Sequence, residues 1–394
     1  MEGGNLNMNR EKETKKIGIP GVIAIMLASS LTVMVGNAIT PALPELGEVY
    51  GLGNYASWLV TAPALGVTAT ALLFGKLIDK KGPYYTAFFG LLFYGVLGVA
   101  GAFMPNAAAI FVDRFFLGAA TAAIMSASVA LITGFFDGEK QLRMIALQGM
   151  SMELGGVIFL SISGVLAGFS WRYPFFIYAL GLAAFLMLVL FVPRCKKAVE
   201  NTEDDDGSFQ KQGTPVSLVL LIAFFGMLMF FTAMVSLPIY LQNDLGYSPS
   251  FTGYYLAALD LVAVLSAGAM PRIVAKLNEK GCLLVAFSCY GAAFFIYFLS
   301  GHTAALWTAV LLAGAGFGLS TPLFNSLVVR KSAPGKKGTN ISLCTMAMFL
   351  GQFLSALLVS TFSGRNLFIA AAVISWIIGA CIIPVTRVFE KRNL

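Results

Sequence analysis

Charge is scarce in this chain: 11% of its 394 residues are Asp, Glu, Lys or Arg, against 58% hydrophobic residues and a mean hydropathy of +0.82. That leaves too little polar surface to clothe a soluble globule, so the bilayer is the solvent to which the fold must answer. Histidine occurs once, at His302, in a short loop where solvation is its expected state. The five cysteines, Cys195, Cys282, Cys289, Cys344 and Cys381, show no metal-ligand spacing. A metal site and structural disulfides are therefore not expected. Walker loops, nucleophile elbows and His/Cys ligand clusters are also missing, so ATP-driven transport and covalent catalysis lack their parts. Neither an enzyme nor a cofactor is expected.

Long apolar runs are what the chain has. A helix needs ~20 apolar residues to cross the ~30 Å hydrocarbon layer. Ten stretches of this class, 17–44, 49–75, 82–112, 115–136, 173–193, 212–243, 281–301, 303–329, 338–364 and 366–386, contain no Asp, Glu, Lys, Arg or His. Two more, about 142–166 and 251–274, each carry one internal acid, Glu153 and Asp260. The first stretch is too long for a signal-peptide core and is read as a retained span.

With the N-terminus inside, 23 of the 26 basic residues fall on one face, Arg172 and Arg365 lie opposite, and Arg114 is intramembrane. This is the positive-inside pattern, which predicts two cytoplasmic termini in a plasma membrane. The net charge of +7 then reports topology, and no nucleic-acid partner is expected. The chain reads as a tail at 1–16, six spans over 17–193, a linker at 194–214, six spans over 215–386 and a tail at 387–394. The linker holds an acidic run from Glu203 to Asp206 that stays solvated or serves as a regulatory or ion-binding patch. The halves echo each other: the loop from Gly75 to Gly82 matches that from Val274 to Gly281, and Arg172 with Phe175 matches Arg365 with Phe368. A duplicated six-span unit is the architecture of transporters with a midplane site between the repeats.

Gly75, Asp79, Lys80 and Gly82 resemble the signature loop between spans two and three of the major facilitator superfamily, and the resemblance covers essentially the whole chain. It implies an all-α membrane protein of 12 transmembrane helices in two pseudo-symmetric six-helix bundles, expected to be monomeric. It also implies that Asp79 gates the cytoplasmic side against the start of span eleven near Gly338. Family members usually continue with Arg and Lys after Gly82, whereas this chain has Pro83 and Tyr84.

Asp113, Arg114 and Gly118 resemble the family's Arg-x-x-x-Gly motif of span four, associated with substrate or proton handling. Arg114 lies about 12 Å deep at 1.5 Å per residue, so it must face a cavity, find a carboxylate or snorkel outward. Asp113, about 100° away around the helix, is not an automatic partner. Glu153, about 16 Å deep, and Asp260, about 14 Å deep, are proton-coupling candidates with Asp113. Their alternative is a permanently neutral acid that hydrogen-bonds neighbouring helices.

The antiporters' span-five motif, Gly-Pro-x-x-Gly-Gly, is degraded here to Phe159 through Gly164, although Gly149, Gly155, Gly156, Ser163 and Gly164 permit close packing against span eight. Arg114, Asn37, Met150, Tyr254, Gln352 and Asn325 are substrate-cavity candidates. The expected function is efflux of a small amphiphilic or polar organic compound in exchange for protons. Uptake or facilitated diffusion of a sugar, peptide or metabolite stays open, as does a lipid flippase or transporter-like receptor.

Overall fold

The computed structural model describes residues 17–194, 215–333, 336–362 and 364–392. The N-terminal tail, nearly all of the linker with its acidic run, and residues 393–394 lie outside them. In hydrocarbon every backbone N–H and C=O must be satisfied by the chain itself, which a helix does locally. Among the described residues there are accordingly helices and turns and no strand. The helices are α1 (Ile19–Asn37), α2 (Leu43–Val49), α3 (Ser57–Lys81), α4 (Pro83–Ala100), α5 (Ala107–Phe135), α6 (Gly138–Ala167) and α7 (Leu180–Phe191). They continue with α8 (Val216–Ile239), α9 (Pro249–Leu299), α10 (Thr303–Lys331), α11 (Lys337–Thr361) and α12 (Arg365–Arg392).

The ends have local causes. Pro20, Pro83 and Pro249 sit in first turns, where a missing N–H costs nothing. Asn106 accepts from the N–H of Ala109 at 2.9 Å and caps α5. The 51 residues of α9 would span about 76 Å, far more than one bilayer. It is broken at Asn278, whose φ of 58° interrupts the helix. Asn accepts positive φ better than most side chains, and its Oδ1 receives the N–H of Gly281 at 3.0 Å. So α9 is two crossings, and the eleven apolar segments long enough to cross a membrane make twelve. The start of α1 and the end of α12 then share one face, here the terminal face; the other is the distal face. The echo between loops 75–82 and 274–281 holds in place but not in detail, since positive φ falls on Gly82 in one and on Asn278 in the other.

Two separate apolar cores result, one around Leu31, Tyr94, Leu117 and Phe175, the other around Met229, Tyr255, Phe287 and Phe324. In the first bundle Gly118 of α5 lies against the Pro63 carbonyl of α3, and in the second Gly314 of α10 lies against the Leu259 carbonyl of α9. A Cβ at either glycine would collide with backbone, so both helix pairs depend on its absence. The bundles meet along two seams, α6 with α9 and α3 with α11.

Candidate functional site

The α6–α9 seam is an antiparallel pair whose contacts can be followed residue by residue. At the distal end a Cβ on Gly164 would lie 2.6 Å from the Cα of Gly253, and Ser250 Oγ donates to the Gly164 carbonyl at 3.3 Å. Two turns on, Gly156 faces Asp260, whose Oδ2 lies 2.6 Å from where its Cβ would be. The same register next sets Gly149 opposite Gly268, and neither has an atom within 4 Å of its Cβ position. The helices touch in the distal half and part in the terminal half. Of the small residues expected to pack against span eight, Gly156 and Gly164 do so. Gly155 turns instead to Ser30 of α1, and Ser163 donates to the Ala38 carbonyl.

The two deep acids sit at this fork. Asp260 is buried, Glu153 is half-buried one turn from Gly156, and Glu153 lies within electrostatic range of Asp260. Among the described residues neither carboxyl has a hydrogen bond or an ion pair. Counting along each helix sets both acids deep; that they lie within electrostatic range of each other from opposite bundles could not be read from the sequence.

Asp113 and Arg114 are arranged otherwise. Arg114, fully buried, pairs with the adjacent Asp113: Nη2 and Nε lie 2.6 and 3.0 Å from Oδ2. Nη2 also donates to the carbonyls of Leu97 and Gly98 at 3.3 and 3.4 Å. The guanidinium lies 5.1 Å from the ring centres of both Phe175 and Tyr178, a cation–π arrangement. Of the alternatives open to Arg114, a carboxylate partner is the one this structure holds. The sequence neighbour is the partner, because the long Arg side chain spans the 100° step back. Nor does Arg114 line an open cavity: α4, α5 and the turn at Tyr173–Ala179 enclose it. Asp113 Oδ1 and Arg114 Nη1 find no partner among the described residues.

Two further cavity candidates lie elsewhere. Met150, 60% exposed, continues the exposed apolar stripe of Leu154, Ile158, Ile162 and Val165 along α6, away from the face that meets α9. Tyr254, 53% exposed, lies near the distal end of α9, where the seam is closed. Both point away from the α6–α9 contact: Met150 follows the exposed stripe of α6, and Tyr254 lies roughly 100° around the helix from Gly253, which makes that contact. Gln352 and Asn37 are buried, with Gln352 Nε2 reaching across the bundles to within 3.7 Å of a Cβ on Gly36. Asn325 is exposed on α10.

The α3–α11 seam follows the same pattern. Distally Trp58, which had no motif to flag it, meets Phe353 edge-on at 5.2 Å, and Gln242 Nε2 donates to the Pro41 carbonyl at 2.8 Å. At the terminal face Asp79, Lys80 and Gly338 are exposed and Gly75 has open space beside it. Asn340 at the start of α11 donates to Ser332 Oγ at 2.8 Å, and Asp79 has no hydrogen bond or ion pair among the described residues. The latch expected at Asp79 is not engaged in this form. Both seams are closed distally and open at the terminal face.

A two-bundle helical fold, a seam that forks, and two carboxyls at the fork describe a membrane transporter. The Major Facilitator Superfamily matches residues 25–356, and the chain belongs to it. It is 25% identical to the "Uncharacterized MFS-type transporter YceJ" of Bacillus subtilis (strain 168), over 79% of this chain and 81% of that one. It is 21% identical to "Riboflavin transporter RibZ" of Clostridioides difficile (strain 630), over 88% of each. A shorter match, 26% identical over 56% of this chain and 41% of the relative, is to "Multidrug transporter protein MdtP" of Bacillus subtilis (strain 168). Among solved structures, the inward-facing, unoccupied bacterial homolog of the human lysosomal transporter Spinster matches 94% of this chain and 97% of its own at 17% identity, with a TM-score of 0.77.

Proposed function

We propose that this chain is a proton-coupled exporter of a small amphiphilic or polar organic compound, working as a monomer in the plasma membrane by alternating access between its bundles. The charge pattern of the sequence assigns 23 of the 26 basic residues to the side of the terminal face, which is therefore read as cytoplasmic, so the fork opens to the cytoplasm. The observation that carries this reading is that Asp260 packs against Gly156, one turn from Glu153 and within electrostatic range of it, where α6 and α9 part, with no ion pair to either acid among the described residues. Water favours an ionised carboxyl and a dry seam disfavours one, so opening and closing the fork changes the cost of charge there. A proton and a positive or polar group of the substrate compete to meet that cost. Closing the cytoplasmic halves brings Gly149 toward Gly268, and opening the distal halves must part Gly164 from Gly253.

Relatives named for resistance or multidrug transport, such as MdtP, support export. A second reading, uptake or facilitated diffusion of a metabolite, draws on the end-to-end match to the relative named for riboflavin. An imposed pH gradient in everted vesicles separates the two by whether the compound accumulates inside the vesicles or is depleted from them.

For the coupling itself, a thermal-shift screen of the purified chain supplies a ligand, and reconstituted Glu153→Gln and Asp260→Asn variants are then assayed. Binding is expected to survive while gradient-driven flux falls roughly 100-fold, equivalent to about 2.7 kcal/mol. Flux that keeps its full response to the gradient removes the pair from the mechanism.

A further inference from the structure

The distal face holds a cavity that this mechanism does not use. Its volume is about 530 Å³, within the range of small-molecule sites, and both bundles line it. Glu48 of α2 stands on one side; Tyr240, Asn243, Asp244, Phe362 and Phe368 stand on the other. Two carboxylates and aromatic rings therefore share one recess whose lining contains no Lys, Arg or His. Arg365, outside the lining, lies within electrostatic range of Tyr240, as Asp244 does, and offsets part of that charge.

The wall from Tyr240 to Asp244 is a π-helical turn: the N–H of Leu245 reaches the Tyr240 carbonyl, five residues back, at 3.1 Å. Pro238 just before it lacks a donor and loosens the regular ladder. Single π turns are uncommon and recur at functional sites. Here the turn sends Gln242 across the seam to the Pro41 carbonyl while Asn243 and Asp244 line the recess.

We propose that this recess is a second ligand site, filled from the distal side by an organic cation with an aromatic or apolar body, and that its occupant brakes opening of the distal seam. Carboxylates and aromatic faces both attract such a cation. Glu48 and Asp244 belong to different bundles, so an occupant that touches both is held only while the distal halves are together. By linkage, a ligand at ten times its Kd shifts the balance toward that closed form roughly tenfold. The site does not depend on Glu153 or Asp260, so it stands or falls separately from the proton-coupling reading.

The test titrates benzyltrimethylammonium, a permanent cation, into the purified full chain by calorimetry, with uncharged benzyl alcohol as control. The ammonium should bind saturably and 1:1, more weakly as salt is raised, and about five- to tenfold more weakly when Glu48→Gln is combined with Asp244→Asn. Glu153→Gln should leave its affinity unchanged. Absence of saturable binding, an affinity indifferent to the double exchange, or one lost with Glu153→Gln overturns the site. Both exchanged side chains are exposed, so the double variant should keep its thermal midpoint; Asp244→Asn alone, at about two- to threefold, is the second reading of the same contact. For the brake, oxidative cross-linking of a Gly149→Cys, Gly268→Cys variant carrying Cys381→Ser should slow severalfold in the presence of the ammonium. An equal rate with and without it overturns the braking role.

Discussion

The two bundles solve one packing problem with different chemistry. In the first, Asp113 and Arg114 stand one turn before Gly118; at the matching places before Gly314 in the second stand Ala309 and Val310, both buried. Each glycine lets its helix settle on a backbone carbonyl of its neighbour. The second bundle ties the same distal level together with neutral hydroxyls: Tyr255 and Tyr297 lie 3.1 Å apart, and Tyr255 donates to the Leu306 carbonyl at 2.7 Å. The glycine is therefore what the fold needs, and the ion pair is particular to the first bundle. A buried ion pair costs desolvation that apolar residues such as Ala309 and Val310 avoid. The pair also means that the deep guanidinium is already neutralised within its own bundle, which leaves Glu153 and Asp260 without it.

The contrast can be broken most severely at Arg114. Arg114→Met strands a buried carboxylate and should cost about 3–5 kcal/mol, most of it recovered when Asp113→Ala is added, as denaturant titration in detergent would show. A single variant as stable as the double would mean that the pair is not enclosed. Next come Gly118→Val and Gly314→Val, each expected to cost on the order of 1–3 kcal/mol by overpacking. Their losses should be alike because the contact is shared, and a clearly tolerant site in one bundle would end the equivalence. Gly149→Leu fills the open side of the fork without touching a neighbour; stability and ligand binding should hold while exchange slows roughly tenfold, about 1.4 kcal/mol. Wild-type exchange would show that the terminal halves never close at this point. The smallest effect is set by the exposed pair of Arg143 and Glu139, 2.6 Å apart on the surface of α6. Arg143→Ala should move the unfolding midpoint by less than about 0.5 kcal/mol, against the several expected for the equally short pair at Arg114.

Much of the fold was legible from local pattern. Apolar run length marks each crossing, and the loops at Gly75 and Val274 fall at matching places in the two halves. The depth of Glu153, Asp260 and Arg114 also follows from counting along a helix of known rise. Rotation about that axis does not follow from counting. Met150 and Tyr254, chosen as cavity residues for their chemistry, lie on exposed faces, whereas Gly253 and Gly268, which no motif marked, lie along the α6–α9 register. The pairing of Arg114 with Asp113 was hidden in the same way, since a backbone step of 100° says nothing of how far a guanidinium can reach back.

The sequence by itself thus determined that the chain lives in a bilayer, crosses it repeatedly as two related halves, and carries acids where hydrocarbon should be. Those are properties of single segments, fixed by hydropathy, length and charge. Only the tertiary structure decided that Arg114 is matched within its bundle and that Glu153 comes within electrostatic range of Asp260 where the seam forks. Such facts depend on how helices far apart in the chain turn and slide against one another, and that is set by close packing of glycines and carbonyls rather than by the pattern within any one helix.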